Sequence, residues 1–222
     1  MESVYQDVLH LSNLTKTLLE VAKASGMPEG IEISMLRTDE LLPRLPSEMS
    51  KSNKVYSVSF DFNDLPEDDD RLTVLGNEEL VFTAIKNLVT NACKYSDNNQ
   101  AIIKLSIRDE EVVIGISDTG IGIPFSELER IFQPFHRVSD THNKEGFGLG
   151  LSLASGIIKL HKGEVDVSSA INRGSTFTVR LPCAKKHSSL HLFYHPHILV
   201  TASCTYNYSR INFGLVSISR IT

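Results

Sequence analysis

Seam positions recur through the first 26 residues at alternating spacings of four and three (Val4, Val8, Leu11, Thr15, Leu18, Ala22), the period of a helix that offers one stripe to a partner helix. Three heptads fit equally well a helix packed on its own domain. Gly26 and Pro28 end the pattern, and residues 27–53 are mixed, a linker leading into the next unit. Residues 54–62 (KVYSVSFDF) alternate as a strand does, and an acidic loop runs on through Asp70. From Asn77 the period becomes helical: Asn77 caps, Glu78 and Glu79 suit the positive helix start, and Leu80, Ala84, Ile85, Leu88 and Ala92 form the buried face.

Residues 101–107 and 112–117 predict a hairpin that turns at Asp109 and Glu110. A glycine-rich turn, DTGIGIP, precedes a short helix over 126–132. The polar stretch 137–145 then leads into GFGLGLSLASGIIKLHKG, a glycine turn opening a helix that ends at Gly163. Strands at 164–168 and 176–181 close a layered α/β domain, and its elements do not alternate as parallel doubly wound folds do.

The chain has 222 residues, and 41% hydrophobic content is enough for a core. No stretch approaches the roughly 20 apolar residues a bilayer span needs, and MESVYQDVLH lacks a basic leader and an apolar signal core. The segment is therefore expected to be cytoplasmic, even if a longer parent chain is membrane-anchored. Cys93, Cys183 and Cys204 are odd in number and lack CxxC spacing, which fits a reducing compartment better than a disulfide framework or a cysteine zinc site. The net charge of −5 offers nucleic acid no general attraction; residues 183–222 hold four basic residues and no acid, so the first 182 carry −9, the total less this +4.

Asn87 and Asn91 lie four apart with Lys94 three further on, so one helical face presents two amides and an ammonium. Amide oxygens are hard ligands, and magnesium takes few protein ligands alongside phosphates and water; a solvated helix face is the competing reading. In DTGIGIP, Gly120 and Gly122 let backbone approach a ligand, and a buried Asp118 can accept from an adenine amino group, although an Asp before Thr-Gly also simply forms turns. Gly146, Gly148 and Gly150 run into a helix whose N–H groups suit phosphate. The Lys-Ser/Thr ending of a P-loop is absent, as is the strand-helix-strand unit of a dinucleotide fold.

Taken in order, NLVTNACKYS (87–96), DTGIGIP (118–124), FQPFHRV (132–138), GFGLGLSL (146–153) and GSTFTVRLP (174–182) resemble the ATP-binding domain of sensor histidine kinases. That domain belongs to the wider family of gyrase, mismatch-repair and heat-shock chaperone ATPases, and the resemblance covers about residues 54–182. It implies a two-layer α/β sandwich with a mixed sheet, the Bergerat-type ATP-binding fold, here preceded by one helix. It also implies ATP and Mg2+ as cofactors. Asn91 would be the magnesium ligand with Asn87 beside it, Lys94 near phosphate and Tyr95 against the adenine ring. Asp118 would read the adenine amino group, supported by Gly120, Gly122, Ile123 and Ser175. Arg137 and Lys144 would reach the phosphates within a lid that is mobile until ATP binds, between the Phe132 and Phe135 anchors and the glycine turn of Gly146, Gly148, Leu149 and Gly150. Gyrase-like and chaperone relatives place a glutamate four residues before the magnesium asparagine, where it activates water; here that position is Asn87, whose amide cannot take a proton at neutral pH. Transfer of the γ-phosphate is thereby favoured over hydrolysis, and Asn87, Lys94 and Arg137 are the expected catalytic residues.

The implied partners are a dimerisation helix carrying an acceptor histidine, in the parent chain or another subunit, and a receiver domain of a response regulator. Residues 1–26 would be part of the dimerisation hairpin and would permit a homodimer. The acceptor motif of His, an acidic residue and a downstream proline is absent: His10 is followed by Leu11 and Ser12. A nucleotide-binding regulatory module without autokinase activity is the alternative. Residues 183–222 hold His187, His191, His195 and His197, which lack a nearby carboxylate and read as a poorly ordered appendage rather than a metal cluster.

Overall fold

The computed structural model describes residues 32–62, 65, 69–138, 147–184, 199–201 and 217–219. Its five-stranded sheet is built from β2 (Ser57–Asp61), β4 (Gln100–Arg108), β5 (Glu111–Ser117), β6 (Glu164–Ser169) and β7 (Ser175–Pro182), in the order β2-β4-β5-β7-β6. β2 runs parallel to β4 and every other pairing is antiparallel, so the sheet is mixed, as expected. Alternation puts Ala101, Ile103 and Leu105 of β4, Val112, Ile114 and Ile116 of β5, and Phe177, Val179 and Leu181 of β7 on the buried side. Two helices cover that side, α3 (Glu78–Tyr95) over β2, β4 and β5 and α4 (Gly150–Leu160) over β6, packed against each other.

Local chemistry sets several of these elements. The Asn77 side chain accepts from Leu80 N at 3.0 Å and starts α3, which buries Leu80, Val81, Ala84, Ile85, Leu88, Val89, Ala92 and Cys93. The β4–β5 hairpin pairs Arg108 with Glu111, and the two residues between, Asp109 (φ 46°) and Glu110 (φ 65°), both take the left-handed conformation of a tight turn.

Several expectations change. The strand foreseen over 54–62 is shorter, Ser57–Asp61, and the helix foreseen over 126–132 is a single 3-10 turn, Phe125–Glu127, followed by further turns. α4 ends at Leu160, and the left-handed residue beyond it is Lys162 (φ 60°) rather than Gly163. Residues 34–52 do not act as a linker. β1 (Ser34–Arg37) pairs with β3 (Thr73–Gly76), while α1 (Thr38–Leu41) and α2 (Leu45–Ser52) send Leu41, Leu45 and Met49 into the common core with Leu36 and Leu42. Thr38 Oγ1 donates to Leu72 O at 2.8 Å and ties this layer down. At the other end, Cys183 bridges to Val74 and Ala184 N donates to Thr73 O at 2.7 Å.

Residues 185–222 form a separate unit in which β8 (Leu199–Thr201) and β9 (Ser217–Ser219) pair antiparallel. The four tail histidines, His10 and the N-terminal helix lie outside the described residues.

His161, 3% exposed, joins the two helices. Its Nδ1 donates to Ile157 O at 2.7 Å and its Nε2 accepts from Asn77 N at 3.0 Å, which requires the neutral ring. Burial lowers its pKa from the ordinary 6.5, so the native state binds this proton more weakly than the unfolded chain does. Its contribution to stability is complete above 6.5 and is lost as pH falls from there toward the depressed native value. Urea unfolding at about pH 7 and about pH 5 is expected to show that loss in the wild type and a smaller one in His161→Gln. Equal acid losses in the two proteins would contradict it.

Candidate functional site

α3 carries four of the candidate residues. Asn87, Asn91, Lys94 and Tyr95 are half-buried on the α3 flank left outside the core. Asn87 Nδ2 donates back to Thr83 O at 3.0 Å, which commits the amide nitrogen and leaves Oδ1 as the outward group. A Cβ on Gly150 would lie 3.4 Å from that oxygen, so the first turn of α4 stands against Asn87. The N–H groups of an opening helical turn lack intrahelical partners and attract anions. The Lys94 ammonium stands over the Tyr95 ring, 5.1 Å from its centroid.

The second wall is the loop after β5. Asp118 N donates to Ser175 O at 2.9 Å, which extends the β5–β7 ladder by one residue and holds the side chain down at 8% exposure. Its Oδ1 accepts from Gly120 N at 2.8 Å. Burial raises the carboxyl above its usual range, opposed by hydrogen bonds from the backbones of Gly120 and Ser175 and from the Ser175 hydroxyl, with the Asp97 charge adding to the rise. Gly120 passes so close beneath the end of α3 that a Cβ there would lie 1.8 Å from Tyr95 O. Gly122 has φ 70° and would strike Ala170 O at 2.0 Å, a position open only to glycine. Ile123 N donates to Ser169 Oγ at 2.8 Å, and that hydroxyl lies 2.9 Å from Ser175 Oγ. Tyr95, Asp118, Gly120, Gly122, Ile123 and Ser175 are thus assembled by direct contacts between segments 25 positions apart at Tyr95 and Gly120 and 57 apart at Asp118 and Ser175.

The third part is the base of the 139–146 segment. Phe132 packs edge-on against Phe177, with ring centroids 6.4 Å apart. Phe135 does not anchor: it is 71% exposed, with φ 65°. Its backbone does that work instead, donating to Gly148 O at 3.0 Å, while Gly148 (φ 71°) comes so near His136 O that a Cβ would lie 2.6 Å away. Phe135 and His136 on one side and Gly148 on the other are therefore tied together, and His136 Nε2 meets Glu127 Oε2 at 2.6 Å just before Arg137. Leu149 is buried at the N-cap of α4. Lys144 and Gly146 lie outside the described residues.

Sequence reasoning missed Ser169, His161 and the Glu127–His136 pair, each of which works through a partner that only the fold supplies. Among the described residues no group of three or more His, Cys, Asp and Glu is placed to hold a metal ion. Among those residues, too, no helix is long and apolar enough to cross a membrane.

Residues 76–185 match the family described as histidine kinase-, DNA gyrase B-, and HSP90-like ATPase. The chain is 33% identical over 175 residues to the adaptive-response sensory kinase SasA of Gloeothece citriformis, covering 78% of this chain and 44% of that protein. It is 34% identical over 179 residues to the sensor-like histidine kinase SenX3 of Mycobacterium tuberculosis (75% and 44%), and 31% identical over 185 residues to the heme sensor protein HssS of Staphylococcus saprophyticus (81% and 38%). It spans less than half the length of these relatives. In fold it is similar to the histidine kinase AdeS of Acinetobacter baumannii, with a TM-score of 0.63 at 18% identity over 83% of this chain and 84% of that one. Full-length ShkA, solved in complex with AMPPNP, aligns with a TM-score of 0.64 at 24% identity, over 82% of this chain and 38% of that one. The buried Asp118, the glycines packed beneath Tyr95 and the amide face of α3 therefore lie in an ATP-binding domain of the histidine kinase-, DNA gyrase B- and HSP90-like ATPase family, whose relatives here are sensor histidine kinases.

Proposed function

We propose that this domain holds magnesium–ATP between α3 and the Asp118 loop and delivers the γ-phosphate to a histidine on a dimerisation helix, for relay to a receiver aspartate. Asp118 reads the adenine amino group, Tyr95 lies against the ring, and Asn91 supplies an amide oxygen to magnesium. Lys94, Arg137 and the first turn of α4 receive the phosphates. Gly120, Gly122, Ile123 and Ser175 shape the base pocket.

The observation that carries this reading over hydrolysis is Asn87. Its amide nitrogen is committed to Thr83 O and its oxygen faces the α4 turn at Gly150. A side chain so placed orients groups and has no capacity to take a proton from water. A second reading, a nucleotide-binding regulator without autokinase activity, is favoured by the His10-Leu11-Ser12 context, in which no acidic residue directly follows the one histidine of residues 1–26.

Incubation with radiolabelled ATP decides between them. Transfer needs an imidazole nitrogen in line with the γ-phosphate and an acid nearby to take its proton, and this chain supplies the phosphate end alone. The chain is expected to remain unlabelled by itself and to label a supplied dimerisation hairpin that contains an acceptor histidine. Asn91→Ala should abolish that transfer and remove the magnesium dependence of ATP binding. ATP binding with no transfer to any hairpin would favour the regulator, and acid-labile, base-stable phosphate on His10 would make the chain a self-sufficient kinase.

A further inference from the structure

His161 is absorbed by no step of the proposed function, yet it occupies a defined place relative to the site. α3 and α4 run in opposite senses: the start of α3 meets the end of α4 at the His161–Asn77 hydrogen bond, and the start of α4 meets the middle of α3 at Gly150 and Asn87. Between these two points the helices pack against each other. The imidazole is fitted on every side. Its Nδ1 is on Ile157 O, its Nε2 is on Asn77 N, and Gly76 leaves it room, since a Cβ there would lie 2.7 Å from its Cδ2.

Resting on the nucleotide-site reading above, we infer that His161 is a positioning residue: by pinning α4 to the capping residue of α3, it holds the phosphate-facing first turn of α4 in register with Asn87 and Asn91. The adenine wall is built separately, from the β5–β7 ladder and the contact of Gly120 with Tyr95, and does not pass through α4. Loss of the pin should therefore weaken the hold on phosphates and spare the hold on the base, which a general loss of stability would not do.

The test compares two probes, magnesium–ATP by calorimetry and adenosine by NMR titration, on wild type, His161→Leu and His161→Gln. Expected is an affinity for magnesium–ATP lowered about tenfold in His161→Leu, an unchanged affinity for adenosine, and recovery in His161→Gln, whose amide can both accept from Asn77 N and donate. Unchanged magnesium–ATP affinity in His161→Leu, or equal losses for both probes, overturns the inference. Should His161→Leu not fold, Gly76→Ala, which displaces the ring by the bulk of one methyl, takes its place with the same expected split, and an unsplit result overturns the inference. A wild type that binds neither probe refutes the nucleotide-site reading itself, an outcome distinct from a wild type that binds both while the variants show no split.

Discussion

Asp118→Asn is expected to weaken ATP and ADP alike, by about tenfold to a hundredfold, while leaving the domain at least as stable as the wild type at neutral pH. A hydrogen bond to a charged acceptor contributes about 1.5–3 kcal/mol, and about 1.4 kcal/mol corresponds to a factor of ten in affinity. The two nucleotides should suffer equally because, in the proposed pose, Asp118 meets the adenine they share and not the phosphate end at which they differ. Stability moves the other way for a reason already visible in the free domain. Burial raises the native pKa of Asp118 above the ordinary 3.8, so at neutral pH the folded state carries a carboxylate that would be more comfortable in water. That cost develops as pH rises from the ordinary value through the raised native one, and it is absent below both. The stability difference between variant and wild type should therefore be greatest near neutrality and close as the solution is acidified. Calorimetric titration showing wild-type ATP affinity would remove the adenine assignment, and a variant destabilised at neutral pH would show that the Gly120 and Ser175 hydrogen bonds outweigh the burial.

Gly120→Ala is the more damaging change to the fold. A methyl group at this position would lie 1.8 Å from Tyr95 O and 2.6 Å from its carbonyl carbon, and 3.1 Å from Asp118 Oδ1. The obstructing atoms are backbone at the last turn of α3, so no side-chain rotation relieves the clash; either the loop or the helix end must move. Overpacking of this kind costs about 3 kcal/mol or more when the backbone cannot yield. Because the loop that must move carries Asp118 and the helix end that must move carries Tyr95, ATP affinity should fall with stability. Urea unfolding with a midpoint equal to that of wild type would show that the approach at Gly120 is not tight in solution. The same substitution at Gly115, where the nearest atom is Lys104 Cβ at 3.8 Å, is a matched control expected to cost far less.

Much of this molecule is written locally. α3 could be read from its cap and its 3.6-residue period because Asn77 satisfies its own helix and the buried face repeats without interruption from Leu80 to Ala92. The β4–β5 hairpin could be read because two largely apolar runs flank the turn residues Asp109 and Glu110. The chemistry of the site was equally legible as a set of residue types, since an amide face, an Asp beside glycines and a glycine turn before a helix each have a physical use in isolation. Residues 34–52 were not legible. Pro43 and Pro46 break the stretch into pieces too short for a period to show, so the burial of Leu36, Leu41, Leu42, Leu45 and Met49 becomes apparent only when β3 and the core are present to receive them.

What tertiary structure alone decided is which of those pieces meet. The insertion of β7 between β5 and β6 brings Ser175 to Asp118, and from that one adjacency follow the burial of the carboxylate, its hydrogen bonds and its raised pKa. The packing of α4 along α3 sets Gly150 against Asn87 and His161 against Asn77, although the paired residues lie 63 and 84 positions apart along the chain. Phe135 shows the limit from the other side: its sequence promised an anchor, and the fold uses its backbone and leaves the ring outside. Periodicity, capping and residue chemistry act over a few positions and so can be read from one strand of text. Desolvation and hydrogen-bond partnership depend on which distant segments share a boundary, and no local pattern carries that.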